Sequence, residues 1–202
     1  MAIALELRIY RCPGPRHLSR LNEQLATDGR PMFERNGITI VDAWTTSLGA
    51  PTGRLVYLCA FPDLATRDQA WRDVDADEDW QAAKGRWSEG IGPLTSELEF
   101  WMLSQTGPLT LPAGPSRPVY LGLAEGQHSG PGWCDVVLGP VGRRLYLSDS
   151  APDLTAFSGG SDRVVRLSRC GWSPAVEAGV ALDGTALSRS SASSNARVGV
   201  AS

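Results

Sequence analysis

Four short segments in the first half of the chain alternate between apolar residues and polar or aromatic ones, which predicts β-strands. This period-two pattern covers residues 3–11, 38–46, 54–61 and 95–103. Only a short loop separates 38–46 from 54–61, so these two segments are expected to form a hairpin. The sequence therefore predicts one antiparallel sheet of four strands.

Between these strands, apolar residues recur every three to four positions, which predicts helices. The first helix covers about residues 16–35 and stops before Gly37, and the second begins after an N-cap at Asp63. A third helix opens at Asp77 or Asp79. The order β-α-β-β-α-β predicts a ferredoxin-like α+β sandwich, in which helices cover one face of the sheet.

The two faces of the predicted sheet differ in chemistry, because alternate side chains of a strand point to opposite faces. An apolar set comprises Leu5, Leu7, Ile9, Val41, Ala43, Val56, Leu58, Ala60, Leu98, Phe100 and Met102. A mixed set combines aromatic and charged residues: Glu6, Arg8, Tyr10, Asp42, Trp44, Tyr57, Cys59, Phe61, Glu97, Glu99 and Trp101. We predict that the apolar set packs against the helices and that the mixed set meets the same face of a second chain in a homodimer. The alternative is a solvated amphipathic sheet.

Glycine, proline and serine interrupt the second half of the chain, so its organisation differs from that of the domain predicted over residues 1–105. Residues 106–117 are predicted to be a linker, because each proline removes a backbone donor and stiffens the chain. Strand patterns recur at 118–124, 133–139, 143–149 and 162–169. Residues 118–180 are therefore predicted to form a small β-rich appendage, or a decayed second barrel-like unit added to the first domain. Residues 181–202 are small and polar, and we expect them to be disordered.

Composition and charge exclude several classes of function. The net charge of −3 gives no basic footprint for nucleic acid, and no stretch approaches the roughly 18 apolar residues of a membrane span. The four cysteines form no CxxC pair and only two histidines occur, so we expect reduced thiols and no metal site. Neither GxGxxG nor a P-loop motif occurs, and we expect no cofactor. With Lys84 as the one lysine, the chain is typical of a GC-rich bacterium, and we expect a cytoplasmic protein without a secretory leader.

Several short motifs together resemble a NIPSNAP domain of the dimeric α+β barrel superfamily. They are Glu6-Leu7-Arg8-Ile9-Tyr10, Trp44-Thr45-Thr46 after the Gly37 helix stop, the Tyr57-to-Phe61 strand and Asp79-Trp80-Gln81. The resemblance covers about residues 4–104. It implies a dimer whose sheets meet face to face. It implies no particular chemistry, because the superfamily includes cofactor-free monooxygenases, isomerases, cyclases and haem enzymes.

The mixed set supplies the candidate site. We predict that five of its residues orient a substrate and move protons: Arg8, Tyr10, Tyr57, Glu97 and Glu99. The arginine would bind a carboxylate or phenolate of the substrate, and the tyrosines would donate hydrogen bonds to an oxyanion. One of the two glutamates would act as general acid or base. The predicted substrate-binding residues are Glu6, Trp44, Cys59, Phe61 and Trp101. The alternatives are a structural ion-pair network that fixes dimer register, half-buried strand tyrosines, and a small buried thiol at Cys59.

These observations favour a cofactor-independent enzyme that acts on an apolar, aromatic metabolite by proton transfer, cyclisation, isomerisation or oxygenation. The setting would be bacterial secondary or degradative metabolism. The alternative is a non-catalytic homodimer that binds a small molecule or serves as a scaffold. A ligand-sized cavity beside ionisable groups would favour the enzyme, whereas a closely packed face with satisfied ion pairs would favour the scaffold.

Overall fold

Eight strands from both halves of the chain close a single barrel. The computed structural model describes residues 3–48, 53–111, 113–114, 119–125, 131–139, 143–149, 163–176, 178–182 and 187–191. The first half contributes β1 (Ala4–Arg11), β2 (Thr39–Leu48), β3 (Arg54–Phe61) and β4 (Glu97–Gln105). After the short β5 (Leu109–Leu111), the second half contributes β6 (Val119–Glu125), β7 (Trp133–Leu138), β8 (Arg143–Ser148) and β9 (Arg163–Arg169). The order around the barrel is β1-β3-β2-β9-β6-β8-β7-β4.

The α-helices that the structure describes lie in the first half and begin where the sequence predicts. They are α1 (Pro15–Gln24), α2 (Arg30–Arg35), α3 (Leu64–Ala76) and α4 (Glu78–Ser88). The predicted cap at Asp63 is confirmed, since its side chain accepts the Thr66 N–H at 2.7 Å. Of the two candidates for the next cap, Asp77 takes that position and accepts the Trp80 N–H at 2.9 Å. Gly37, with a φ of +71°, follows α2 as the predicted helix stop.

The helix predicted over residues 16–35 contains one irregular turn. A π-helical turn, Leu25–Gly29, separates α1 from α2, and the Arg30 N–H bonds to the Leu25 carbonyl five residues earlier. Pro31 is the second residue after this turn. A proline has no N–H to donate and its ring crowds the preceding turn, so the wider π-helical turn accommodates it.

The second half completes the barrel instead of standing beside it. The strands predicted at 118–124, 133–139, 143–149 and 162–169 correspond closely to β6 to β9. In the structure β9 pairs with β2, and β7 pairs with β4. These contacts give hydrogen-bonding partners to the two edges of the four-stranded sheet, which would otherwise be left open. The second half of the same chain thereby completes the barrel around the four-stranded sheet.

The helices cover the sheet face opposite to the predicted one. Leu5, Leu7 and Ile9 point into the barrel, where they pack with apolar residues of the second half. Glu6, Arg8, Tyr10, Tyr57, Cys59 and Phe61 form the helix-covered face. A barrel interior is enclosed by strands on all sides and accepts the purely apolar set, whereas helices can bring polar partners to the mixed set. The face assigned to a dimer contact is therefore occupied by the chain's own helices.

The registers of β2 and β4 also differ from the predicted alternation. Ala43 lies opposite Tyr57, and Arg8 lies opposite Phe100. A shift of one residue exchanges the two faces of a strand, and β2 carries an irregularity between Ile40 and Asp42. As a result Trp44, Trp101, Glu97 and Glu99 lie on the barrel side of the sheet and not beside Arg8.

The predicted linker and tail contribute to a second, three-stranded sheet. Leu109 and Leu111 of β5 are buried, and β5 pairs with β10 (Ala178–Leu182). The strand β11 (Leu187–Ser191), in the segment expected to be disordered, pairs with β10. Backbone hydrogen bonds hold such a hairpin without long apolar side chains, which explains the difference from the compositional expectation. Residues 192–202 lie outside the described residues.

Candidate functional site

A cavity of about 460 Å³ lies between the helix-covered face of the sheet and the helices. This volume is within the range of small-molecule sites, about 300–1,000 Å³. Arg8 and Tyr10 of β1 form its floor, and Asp75 and Lys84 are exposed residues at its edge. The helices, the loop before β4 and the start of β4 supply the walls: Leu21, Gln24, Leu25, Met32, Phe33, Trp71, Val74, Trp80, Leu94 and Leu98.

Arg8 is a buried cation, and the Nε atom and the two terminal NH₂ groups of its guanidinium have different surroundings. Its Nε donates to Glu6 at 2.5 Å, and its guanidinium carbon lies 3.3 Å from the centre of the Trp71 ring. Within the described part of the chain, neither terminal NH₂ group has a hydrogen-bond partner. Burial alone lowers the pKa of Arg8, but Tyr57, Tyr10 and Glu6 raise it above its ordinary value, so the group stays charged. Arg8 can therefore bind an anionic oxygen in the cavity.

Glu6 fixes Arg8 in place. Its carboxylate is fully buried and accepts from Arg8, from the Arg67 Nε at 2.6 Å and from the Trp71 Nε1 at 3.0 Å. Two of these donors come from α3, one helical turn apart, so the helix is tied to β1 through this one side chain. Glu6 accepts three hydrogen bonds, and its role is to position Arg8 and Trp71.

Tyr10 and Tyr57 share a hydrogen bond between their hydroxyl oxygens, 3.0 Å apart. Tyr57 is fully buried, and burial raises its pKa well above the ordinary value, with Tyr10 adding to the shift and Arg8 opposing it. Tyr57 therefore remains a protonated phenol. We assign the shared proton to Tyr57, because Tyr10 supplies its one acceptor among the described residues. The Tyr10 O–H is then available to a ligand beside Arg8.

Cys59 and Phe61 lie on the same face, deeper than the cavity floor. Burial raises the pKa of the Cys59 thiol well above its ordinary value, and the nearby Glu6 adds to the shift. Phe61 packs against Trp71 with ring centres 6.4 Å apart. Both residues support the walls and do not line the cavity.

The structure does not bring the other four predicted site residues to Arg8. Glu97 and Glu99 pair with Arg11 at 3.2 and 2.7 Å, on partly exposed positions at the end of β1. Trp44 is fully buried in the barrel interior, and Trp101 packs against that interior. Their separation follows from the registers of β2 and β4.

Sequence reasoning missed several residues that line the cavity, Gln24, Phe33, Trp71 and Trp80 above all. Trp80 was quoted only within the Asp79-Trp80-Gln81 motif of the family resemblance. Gln24 is 3% exposed, and its Nε2 has no hydrogen-bond partner in the described part of the structure. The available signal was its place beside Leu21 and Leu25 on the buried side of α1, where an amide needs a partner.

Neither a metal centre nor a membrane helix occurs in the described part of the chain. No group of three or more His, Cys, Asp or Glu residues there could hold a metal ion. None of the helices that the structure describes is long and apolar enough to cross a bilayer.

Comparison with known proteins gives a family match over the first half of the chain. The NIPSNAP family model matches residues 5–104, which confirms the resemblance. A NIPSNAP family protein from Agrobacterium tumefaciens str. C58 is 21% identical over 52% of this chain and 93% of that chain, with a TM-score of 0.45. A NIPSNAP-like domain protein from Burkholderia xenovorans is 19% identical over 50% of this chain and 83% of that chain, with a TM-score of 0.44. An anthrone oxidase-like protein is 10% identical over 85% of this chain and 94% of that chain, with a TM-score of 0.49. No curated protein matches the chain.

Proposed function

We propose that this chain, whose residues 5–104 belong to the NIPSNAP family, acts on a small aromatic molecule in the cavity between the sheet and the helices. The reaction we infer is a proton transfer next to a carbonyl group, which moves a double bond and needs no cofactor. The observation that carries the proposal is the buried Arg8 guanidinium, with terminal NH₂ groups available to a ligand beside the Tyr10 hydroxyl.

The cavity has the walls that a flat apolar substrate requires. Phe33 and Trp71 meet edge to face with ring centres 6.4 Å apart, and Met32 and Trp80 complete the apolar lining. Glu6 and Trp71 hold the guanidinium in one orientation before a substrate arrives. A donor fixed in advance in a poorly solvated site stabilises developing negative charge more than a mobile one does.

The chemistry follows from what these side chains can donate and accept. A base removes a proton from the carbon next to the substrate carbonyl, the C–H electron pair forms a carbon–carbon double bond, and the carbonyl oxygen becomes an oxyanion. Arg8 and the Tyr10 O–H donate hydrogen bonds to that oxygen. Asp75, a carboxylate at the edge of the cavity, accepts the proton. In a substrate whose second carbon–carbon double bond is conjugated with the enolate, Asp75 returns the proton to the far carbon of that bond, the double bond shifts towards the carbonyl group, and the oxyanion becomes a carbonyl oxygen again. This role replaces the one predicted for Glu97 and Glu99.

Hydrogen–deuterium exchange of an enolisable probe tests the proposal. We expect the protein to accelerate exchange of the C1 protons of 2-tetralone in buffered D₂O, followed by proton NMR. Arg8→Met and Tyr10→Phe should each slow the catalysed exchange about 100-fold, the usual cost of removing one oxyanion donor. Arg30→Met is the matched control, because Arg30 lies on the exposed side of α2 and its side chain forms a hydrogen bond with Glu34, outside the cavity. Exchange at the buffer rate, or exchange unchanged in Arg8→Met, would contradict the proposal.

A second candidate function is non-catalytic binding of the same class of molecule. It is favoured by the exposure of Asp75, because a solvated carboxylate is a weak base compared with a buried one. The same variants separate the two candidates. Binding of 2-naphthoate that depends on Arg8, measured by calorimetry, together with 2-tetralone exchange at the buffer rate, would identify a binding protein.

We place the small-molecule partner under the helices of one chain and not between two chains. The barrel needs no second copy to close, and the chain's own helices line the cavity. We therefore expect a monomer to bind 2-naphthoate as well as any larger species does. Size-exclusion chromatography with light scattering, run with and without 2-naphthoate, measures this directly.

A further inference from the structure

Gln24 has an unfilled hydrogen-bonding requirement in the proposed site. Its side chain is 3% exposed and lines the cavity, and its Nε2 is buried without a hydrogen-bond partner among the described residues. Native proteins seldom leave a buried amide unpaired, since the group loses its water on folding and gains nothing in return. A ligand in the cavity could restore the lost bond.

The missing partner is an acceptor, because the unpaired atom is an amide nitrogen. Gln24 comes from α1, whereas Arg8 and Tyr10 come from β1, so the two recognition groups lie on different walls of the cavity. Arg8 is charged and suits an oxygen that carries or develops negative charge. Gln24 is neutral and suits a carbonyl oxygen. Between them the lining is apolar and aromatic.

We infer that the ligand of this cavity is an aromatic compound with two separate oxygen acceptors: one anionic or becoming anionic at Arg8, and one neutral carbonyl that accepts from Gln24 Nε2. This inference rests on the proposed function and deepens it by naming the substrate class, an aromatic dicarbonyl compound. Gln24 is then the residue that determines specificity, because a ligand without the second carbonyl leaves the amide unpaired.

Paired probes that differ in one carbonyl group test the inference. The probes are 3- and 4-acetylbenzoate, compared with 3- and 4-ethylbenzoate, which have nearly the same shape. In all four the carboxylate takes the place of the oxyanion at Arg8. By calorimetry we expect the wild-type protein to bind at least one acetyl compound about tenfold more tightly than its ethyl counterpart.

Gln24→Met should remove that preference, so that the two affinities differ less than about twofold, with the ethyl compound bound at least as tightly as by wild type. Methionine has a similar shape and no donor, and Gln24→Leu serves as a second variant if the first does not fold. Gln69→Met is the matched control, because Gln69 is exposed on α3 and pairs with Asp73. It should leave the ratio unchanged. If Gln24 had only a structural role, its replacement would weaken binding of the acetyl and ethyl compounds alike and would leave the ratio of the two affinities unchanged.

The outcomes separate this inference from the proposed function. Equal affinity for acetyl and ethyl compounds at both ring positions, with binding lost in Arg8→Met, would overturn the role of Gln24 and leave the anion site standing. An acetyl preference that survives Gln24→Met would also overturn it. A preference that depends on Gln24, without exchange of 2-tetralone, would support the inference and contradict catalysis. If none of the four compounds binds, both proposals are wrong.

Discussion

Arg169 of β9 holds the Asp42 carboxylate of β2 through Nε and Nη2, at distances between 2.6 and 2.9 Å. Both side chains are fully buried. The Ser173 hydroxyl donates to the same carboxylate at 2.6 Å, and the Ala43 N–H donates at 2.8 Å. The two strands belong to different halves of the chain and are neighbours in the barrel. This network therefore fixes the register at one of the two seams where the halves join.

Replacement of Asp42 by asparagine should destabilise the fold strongly. The substitution leaves the buried Arg169 charge without its carboxylate, and loss of one partner of a buried pair costs about 3–5 kcal/mol. For a chain of this size the melting temperature should fall by about 10 °C. Urea unfolding followed by circular dichroism measures the free energy of unfolding.

The control for Asp42 is another arginine–aspartate pair that joins neighbouring strands. Arg144 contacts Asp135 at 2.8 Å, but the Asp135 side chain is 44% exposed. Asp135→Asn should therefore cost less than about 1 kcal/mol. Equal losses of unfolding free energy in the two variants would show that burial does not make the Asp42–Arg169 pair contribute more to stability than an exposed pair.

The Asp42–Arg169 pair also shows what the sequence could and could not predict. Period-two patterns located the eight barrel strands to within about two residues but did not find β5, β10 and β11. Asp63 was found as a helix cap, and Asp77 was one of two candidates for the cap of α4, because these features depend on neighbouring residues. Strand pairing depends on contacts between distant residues, and Asp42 and Arg169 are 127 positions apart. Nothing in the local pattern of either strand identifies the other.

The site was predicted in part for a related reason. Arg8, Tyr10 and Tyr57 were grouped correctly, because alternation within β1 and β3 places them on one face. Trp44 and Glu99 were grouped with them wrongly, because alternation does not reveal a one-residue shift between strands. The helices were expected on the other face, since the pattern does not show that Trp71 Nε1 and Arg67 satisfy the buried Glu6.

Gln24→Met should stabilise the ligand-free protein. The variant replaces a buried amide that has no described partner with an apolar side chain of similar shape, and an unsatisfied buried group costs about 1–3 kcal/mol. We expect the free energy of unfolding in urea to rise by about that amount. Gln69→Met, at an exposed position on α3, should change it by less than about 0.5 kcal/mol. A loss of stability in Gln24→Met would mean that the amide has a structural partner.

Glu6→Gln should reduce both stability and ligand binding. The buried carboxylate is shared by Arg8, Arg67 and Trp71, so its neutralisation leaves two arginines without their common anion. We expect a loss of about 3–5 kcal/mol in the free energy of unfolding. At temperatures where the variant is folded, its affinity for 2-naphthoate should fall about tenfold or more, because Arg8 loses its fixed orientation.

Glu99→Gln is the matched control for Glu6, since it also removes a carboxylate paired with an arginine of β1. Glu99 contacts Arg11, on the side of the sheet opposite the cavity. Its replacement should leave 2-naphthoate affinity unchanged. If Glu99→Gln weakened binding as much as Glu6→Gln does, the ligand would lie on the barrel side of the sheet.

The four cysteines should be almost inert in the folded protein. Burial raises the pKa of Cys12 to about 11 and those of Cys134 and Cys170 to about 12. Cys59 is fully buried, and burial raises its pKa well above the ordinary value. Because the thiolate is the reactive form, Ellman's reagent near pH 8 should label none of the four cysteines rapidly in the folded protein. In denaturant all four thiols should react with the reagent. Leu64→Cys, at an exposed position, should add one rapidly labelled thiol. Rapid labelling of Cys59 would restore it as a candidate reactive group.

Asp77 should make the stability of the helical layer depend on acid pH. Arg35 donates to this carboxylate from Nε and Nη2, both at 2.7 Å, and lowers its pKa; the Trp80 N–H and the Asn36 amide lower it further. The unfolded chain binds a proton near pH 4, whereas the folded chain does so only at lower pH. The stabilisation from ionised Asp77 is therefore complete above about pH 5 and is lost as the pH falls below about 4.

Comparison of wild type with Asp77→Asn across that range tests this linkage. Asparagine can still cap α4, so the variant should lose about 1 kcal/mol near pH 7, where the half-exposed Arg35 moderates the pair. The difference from wild type, measured by urea unfolding, should narrow as the pH falls from about 5 to about 2. Arg35→Met removes the cause of the lowered pKa and should show the same narrowing. A difference that stays constant with pH would mean that Asp77 contributes only as a cap.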